Sequence, residues 1–520
     1  MAVKYPKIMD RKEMFTGHIN TGYACKGDSI VLGGAILDGA PLTDALVRVP
    51  LKTMNRHGLI AGATGTGKTK TLQVISEQLS DRGVPVLLMD VKGDLSGIAK
   101  PGEEKPFITE RHAKIGLPYS AKACPVELLT ISKQEGVRLR ATISEFGPVL
   151  LSRILELNDT QGGVLSVIFK YCDDKQMPLL DLKDLKKVIQ YVTEEGKSEL
   201  ERDYGYISPS TTGIILRKAM ELEQQGADLF FGEPSFEIRD LMRRDRDGKG
   251  YVNIIRLNDI QDKPKLFSTF MLCLLAEVYD MMPEKGDVEK PELVIFIDEA
   301  HLVFKEASKT LLNEIETIVK LIRSKGVGVF FITQNPMDVP NGVLAQLGLK
   351  VQHALRAFTA IDRQAIKLTA ENFPLSDYYR TDETLTSLGI GEALVTALNE
   401  KGIPSPLAAT MMRAPMSRMD ILLQGELDAI NRDSEIFGKY NRAIDRESAF
   451  ELLSGKIKAI QEKAEEEAQR KEWEKERRGE AGRKTSGSPR RSVARSPVVK
   501  VLTSATFIRG VLGIMKKVIR

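Results

Sequence analysis

The amino-acid sequence predicts an α/β fold in which a mostly parallel sheet is covered by helices on both faces. Six short apolar runs, His57–Gly62, Val84–Asp90, Val126–Ile131, Tyr251–Leu257, Leu293–Asp298 and Val327–Thr333, have the length and content of buried strands. Helical periodicity separates several of them, and uninterrupted apolar strands alternating with helices mark a parallel sheet with no solvated face. The chain of 520 residues is long enough for several domains around at least one large core.

Taken in order, residues 1–50 are rich in Gly and short apolar stretches such as GGAILDGAPL and read as a short β-rich lead-in. Residues 51–144 hold the first part of the α/β core. Over 145–245 the strand rhythm stops, and Leu150, Leu151, Ile154, Leu155, then Leu182, Leu185, Val188 and Ile189, recur at three- and four-residue spacing. That spacing predicts a helical insertion. The second part of the core covers 246–415, with Lys350 to about Thr410 completing the sheet.

A charged helical segment follows over 416–480, where QEKAEEEAQRKEWEKERRGE lacks an apolar stripe and reads as a solvated helix. Residues 481–520 form a basic linker, AGRKTSGSPRRSVARSP, and a cationic amphipathic helix with Ile508, Val511, Leu512, Met515, Val518 and Ile519 on one face. Such a helix suits a partner groove, an anionic membrane surface or the protein's own body.

Composition narrows the function classes. Hydrophobic residues at 42% and charged residues at 28% fit a soluble globular protein and exclude collagen-like, wholly disordered and multi-spanning chains. The longest purely aliphatic or aromatic run, Leu293–Ile297, stops at Asp298, far short of the roughly 20 residues that cross a bilayer. The start, MAVKYPKIMDRKEMF, lacks a secretory apolar core, and Cys25, Cys124, Cys172 and Cys273 form no CxxC pair. A cytoplasmic location is expected, and a structural zinc site is not.

The net charge of +4 conceals an asymmetry. Residues 481–520 carry ten Lys/Arg and no Asp/Glu, leaving 65 basic against 71 acidic residues, or −6, for residues 1–480. DNA contacts would therefore come from local loops, an internal channel or the tail.

The sharpest motif is Gly62-Ala63-Thr64-Gly65-Thr66-Gly67-Lys68-Thr69, which satisfies GxxxxGK[ST] between an apolar strand and a helix whose Leu72, Ile75 and Leu79 face a sheet. Its glycines let main-chain N–H groups wrap a phosphate at a helix start. Lys68 would neutralise β/γ-phosphate oxygens and the Thr69 hydroxyl would bind Mg²⁺. ATP or GTP binding follows.

Leu293–Ile297 then ends in two carboxylates. Asp298 would hold the Mg²⁺ water shell, and Glu299 would polarise the attacking water. The next strand ends at Gln334, where a γ-phosphate sensor belongs. Leu311, Ile315, Ile318, Val319 and Ile322 form a helical stripe ending at Arg323-Ser-Lys-Gly326. Arg323 either complements the helix dipole or serves as an arginine finger on a neighbouring subunit's ATP, with Arg356 as its competitor.

The order GATGTGKT, Asp90-Val-Lys-Gly-Asp94, IDEAH, Arg-Ser-Lys-Gly with ITQNP, and LRAFT resembles the HerA/FtsK superfamily of ring ATPases, most closely its YjgR-like HerA-type branch, over residues 1–415. The resemblance implies a RecA-like P-loop NTPase core, homo-oligomeric rings that are usually hexamers, ATP held between subunits, and a helicase or DNA translocase. It supports the roles given to Lys68, Thr69, Asp298, Glu299, Gln334 and a trans-acting Arg323, and it favours ATP over GTP.

Two features depart from it: Asn335 stands where DNA-translocating relatives often show Arg, and the amino terminus is short for a β-barrel domain. The spelling Asp-Glu-Ala-His does not make the chain a DEAH-type helicase, because Lys68 and Asp298 are 230 positions apart and no QRxGRxGR-like motif follows. His301 is expected to start a helix beside the site. The alternatives are an ATPase acting on a protein or membrane-associated partner, and a nucleotide-gated scaffold.

Overall fold

The computed structural model describes residues 10–482 except 287, 305–308, 443 and 445. Apart from its first two positions, the expected basic linker and amphipathic helix of 481–520 lie outside the described residues.

Twelve strands form one sheet: β1 (Ser29–Leu37), β2 (Ala40–Pro50), β3 (Gly58–Ala61), β4 (Val86–Asp90), β5 (Val126–Thr130), β6 (Val137–Arg138), β7 (Val252–Arg256), β8 (Leu293–Ile297), β9 (Val327–Thr333), β10 (Leu349–His353), β11 (Glu392–Thr396) and β12 (Ala408–Met412). Their order is β2-β1-β12-β11-β10-β3-β9-β8-β4-β7-β5-β6.

From β10 to β6 every neighbouring pair is parallel. From β10 to β2 every pair is antiparallel. The six apolar runs of the sequence are β3, β4, β5, β7, β8 and β9. In β4, β8 and β9 every residue is buried, as strands covered on both faces require.

The chain leaves β3 for β4 on one side and later returns to β10 on the other side of β3. That reversal opens a crevice at the carboxyl ends of the strands, the usual ligand position in open α/β sheets. The helix Lys68–Asp81 begins there and buries Leu72, Ile75 and Leu79 against Val86, Leu88, Phe296 and Phe330 of the sheet.

The helical insertion forms as expected, with helices Ile143–Ile154, Asp159–Asp174, Leu182–Thr193, Lys197–Tyr204 and Pro209–Gln224. Reciprocal capping boxes, Thr142 with Glu145, Asn158 with Gln161 and Asp181 with Asp184, start three of them. Each satisfies main-chain N–H groups that a helix start leaves without partners. Phe146, Phe230, Phe231 and Phe270 stack edge-on where the insertion meets the helix Pro264–Met281.

Ahead of the β1–β2 hairpin, residues 11–22 add a helix that buries Phe15 and Ile19. The chain divides into two units, Met1–Leu453 and Ser454–Arg520. The described part of the second is the distal portion of the helix Ala449–Gly482, mostly exposed over 454–475, with ion pairs such as Lys458–Glu462 and Arg470–Glu474 four residues apart.

The helix after the phosphate motif also holds the segment beyond β12. Glu77 is buried and accepts from the main-chain N–H groups of Met416 at 2.9 Å and Ser417 at 3.1 Å and from the Ser417 hydroxyl at 3.0 Å. Gln73 donates to the Ser417 hydroxyl at 2.8 Å and the Arg418 carbonyl at 2.9 Å. Burial pushes the Glu77 carboxyl up to about 7, against the pull of these N–H groups and of Arg413.

Two outcomes follow. A Cβ on Gly33 would stand 1.9 Å from the Met411 carbonyl oxygen across β1–β12, so Gly33→Ala should cost about 1–3 kcal/mol of stability. An unchanged denaturant midpoint would show that the two strands separate freely.

The raised Glu77 pKa means that the folded chain holds this proton in a window where the unfolded chain, near 4.5, has lost it. The Glu77 contribution to stability is therefore full below about pH 4.5 and is lost as pH rises through about 7. Comparing denaturation of the protein with Glu77→Gln from pH 4.5 to 8 should reveal a decline, on the order of 3 kcal/mol, that the variant lacks. Tyr119 and Cys124, the other titratable groups facing Glu77, ionise above this window.

Candidate active site

The phosphate motif leaves β3 as a tight loop tied to both neighbouring strands. Gly62 N–H donates to Thr333 O at the end of β9 at 3.3 Å, and Ala63 N–H donates to Ala354 O beyond β10 at 2.9 Å. From the loop's far side, Gly391 N–H donates to Thr66 O at 2.9 Å.

Gly62, Gly65 and Gly67 take φ values of 152°, 77° and 114°, conformations that L side chains rarely adopt. At Gly62 a Cβ would also strike the His353 side chain at 2.5 Å. Thr64 and Gly65 form the exposed crest of the loop. The Thr66 hydroxyl donates back to Ala63 O at 2.7 Å. The helix begins at Lys68, with Gly67 as its cap and Thr69 in its first turn, so its free N–H groups face the loop.

Lys68 is buried and curls over the loop, donating to Gly62 O at 2.7 Å and Ala63 O at 3.1 Å. Burial and then the nearby Lys92 charge lower its pKa, while Glu299 and Asp298 oppose that shift. Thus Lys68, Lys92 and both carboxylates share one field. Behind the loop, buried His353 bonds Thr71 Oγ1 through Nε2 at 2.9 Å and Glu392 O through Nδ1 at 2.9 Å. Burial pushes this imidazole down to about 4, which keeps it a neutral brace.

Asp298 and Glu299 follow β8 and are both buried. Burial, then the Glu299 charge, pushes the Asp298 carboxyl up to about 7. Its Oδ2 is buried with no hydrogen-bond partner among the described residues. No group of three or more His, Cys, Asp or Glu among the described residues could cage a metal. An oxygen left over on one buried carboxylate, together with a Thr hydroxyl in the first turn of the helix that follows the phosphate loop, suits Mg²⁺, which keeps most of its ligands as waters and phosphate oxygens.

Glu299 has φ +47°, unusual for a residue with a side chain. One carboxylate oxygen pairs with Lys92; the other lies 3.1 Å from His301 Nδ1 and 3.5 Å from Gln334 Nε2. His301 starts the helix His301–Phe304. Gln334 lies on the rim of a 580 Å³ cleft lined also by His301, Phe304, Asn335 and Asp338. Gln334 is expected from its place at the end of β9, whereas Lys92, in the turn after β4, stands 207 positions before Glu299 and carries no site role in the sequence pattern.

The two arginine candidates lie apart. Arg323 occupies a short turn before β9, whose seven residues separate it from the phosphate loop by roughly 20 Å. Beside it at the start of β3 is His57, which accepts the Val329 N–H at 3.0 Å and is pushed down to about 4 by burial and, more weakly, by the Arg323 charge. Arg323 therefore does not reach the phosphate loop of its own chain. Arg356 lies on the phosphate-loop side, exposed, two residues past Ala354, with Nη1 2.9 Å from Thr386 O.

Known proteins are similar to this chain in sequence and in fold. The "DNA double-strand break repair helicase HerA" of Sulfolobus acidocaldarius is 20% identical over 352 residues, 67% of this chain and 64% of the relative, and that of Sulfurisphaera tokodaii is 24% identical over 361 residues, 68% and 64%. The chain thus spans just under two thirds of their length. The "Probable helicase MJECL08" of Methanocaldococcus jannaschii is 31% identical over 398 residues, 72% of this chain and 68% of the relative.

Among solved structures, the bacterial conjugative coupling protein TrwB superposes with a TM-score of 0.52 at 15% identity, covering 78% of this chain and 94% of that one. The core is accordingly a RecA-like P-loop fold. The family model described as "Helicase HerA-like C-terminal" matches residues 37–520, and the chain belongs to that family.

Proposed function

We propose that the chain is a Mg²⁺-dependent ATPase that assembles as a homo-oligomeric ring, a hexamer, and couples hydrolysis to moving or remodelling DNA. The observation that carries this reading is the convergence of Lys68 from the phosphate loop with Asp298 and Glu299 from the end of β8. Binding alone requires only the first. Buried carboxylates beside a phosphate cradle serve hydrolysis.

The loop N–H groups and Lys68 hold the β- and γ-phosphates, Thr69 and Asp298 hold Mg²⁺, and Glu299 orients a water towards the γ-phosphorus. The water oxygen bonds to phosphorus as the bond to the β–γ bridging oxygen breaks. ADP leaves with that electron pair, and the water's proton passes to Glu299. Bound Mg²⁺ offsets the charge that develops on the phosphate oxygens. Gln334, beside Glu299, contacts the γ-phosphate. TrwB has been solved with ADP and Mg²⁺ and with a non-hydrolysable ATP analogue, which supports this ligand pair.

DNA is the preferred polymer because the relatives include the helicase HerA named for double-strand break repair and the "DNA import protein CedB". The acidic balance of residues 1–480 and the ten cations of 481–520 favour one second reading, in which the tail tethers the ATPase to an anionic membrane surface or a protein partner.

Purified protein should hydrolyse ATP, and long double-stranded DNA should raise the rate at low salt. Lys68→Ala and Glu299→Gln should each lower turnover by roughly a hundredfold or more; normal turnover in either variant removes the assignments. A rate indifferent to DNA, together with vesicle binding that disappears when 481–520 are deleted, would select the second reading.

Arg323→Ala should abolish turnover while preserving ATP affinity within about twofold. Mixing Arg323→Ala with Lys68→Ala subunits should restore part of the activity, since each supplies what the other's site lacks. Recovery by Arg356→Ala and not Arg323→Ala would reassign the finger.

A further inference from the structure

The turn after β4 is built to present one lysine. Asp90, the last residue of the strand, accepts from the main-chain N–H groups of Gly93 at 2.7 Å, Asp94 at 3.2 Å and Leu95 at 3.2 Å. Three N–H groups on one buried carboxylate fix the turn's path. Gly93 takes φ 76°, and a Cβ there would lie 3.6 Å from Asn258 on the neighbouring loop. Lys92 thus leaves a fixed turn, and its side chain reaches Glu299.

This pair is asymmetric. The Glu299 side chain is 6% exposed and Lys92 is 38% exposed, so the carboxylate is confined while the ammonium has room to change partners. Partial burial weighs against the Lys92 charge, but the Glu299 contact and the Asp298 and Asp94 charges outweigh it and raise its pKa. The lysine is therefore charged. Its charge in turn bears on Lys68 of the phosphate loop, and repulsion between two ammonium groups is relieved by an anion that both can approach.

We infer that Lys92 is a positioning residue shared between Glu299 and the terminal phosphate of bound nucleotide: it holds the Glu299 carboxylate against His301 and Gln334, and a γ-phosphate draws it away. A terminal phosphate carries more charge than one carboxylate and lies in the same field, so the exchange is favoured by ATP and not by ADP. Glu299 is then released towards its water only when there is a γ-phosphate to attack. This rests on Glu299 acting as the water-orienting base.

The test is a double-mutant cycle read by equilibrium binding of a non-hydrolysable ATP analogue and of ADP, both with Mg²⁺, to full-length protein, Lys92→Ala, Glu299→Gln and the double variant. Removing the Glu299 charge frees Lys92 for the phosphate, so Glu299→Gln should tighten the ATP analogue on the order of tenfold. The gain should vanish when Lys92 is also Ala, persist with Lys92→Arg, and leave ADP within about twofold throughout.

Lys92→Gln serves as the second neutral variant if Lys92→Ala fails to fold. Additive effects of the two substitutions, or equal shifts for ADP and the ATP analogue, overturn the inference. Turnover of Glu299→Gln is scored separately: if that variant hydrolyses ATP normally the hydrolytic reading fails, whereas the binding cycle still reports whether Lys92 exchanges partners.

Discussion

The site depends first on a main-chain constraint. The phosphate loop is fixed between the ends of β9 and β10 by the Gly62 and Ala63 N–H groups and is closed from its far side by Gly391. A loop free to fluctuate would lose conformational entropy on each phosphate it bound; one already bonded on three sides has lost it in folding. The left-handed glycines follow from this constraint, as does the neutral His353, whose two ring nitrogens join the helix Lys68–Asp81 to β11. A charged imidazole there would repel Lys68 and Arg111, whose charges already bear on it.

Once the loop is held, the order of the sheet decides what surrounds it. Because β9 and β8 stand between β3 and β4, the carboxyl ends of these strands deliver Thr333 and Gln334, Asp298 and Glu299, and Lys92 in a row beside the cradle. The charges in that row are expensive to bury singly and become tolerable together: Asp298 and Glu299 repel each other, and Lys92 and Lys68 offset them. One oxygen of Asp298 has no hydrogen-bond partner among the described residues, and a buried acceptor with nothing to accept is a position for a cation.

Much of this is legible in sequence where the signal is local. A strand, a glycine loop and a helix stripe occupy consecutive residues 58–79, so the phosphate site can be read without knowing the sheet order, and the apolar run ending at Asp298 is equally self-contained. Lys92 and Glu299 are 207 residues apart, and Glu77 and Met416 are 339 apart; neither pair leaves a trace in local periodicity. The helix 11–22 was hidden for a different reason. Only Phe15 and Ile19 of its twelve residues are buried, too thin a stripe to stand out from the Gly-rich region that follows.

In the proposed ring, Arg323 relates one chain to another. The phosphate loop, Asp298, Glu299 and Gln334 stand at the carboxyl ends of the parallel strands, whereas Arg323 stands before β9 at the amino end, beside His57. A strand of seven residues does not bend back on itself, and an arginine side chain spans a fraction of the intervening 20 Å or so. Arg323 therefore either has no contact with nucleotide or touches the nucleotide of another copy. Sequence order, which sets Arg323 ten positions before Thr333, makes the two look like neighbours in one site; the strand between them turns that proximity into separation across the sheet.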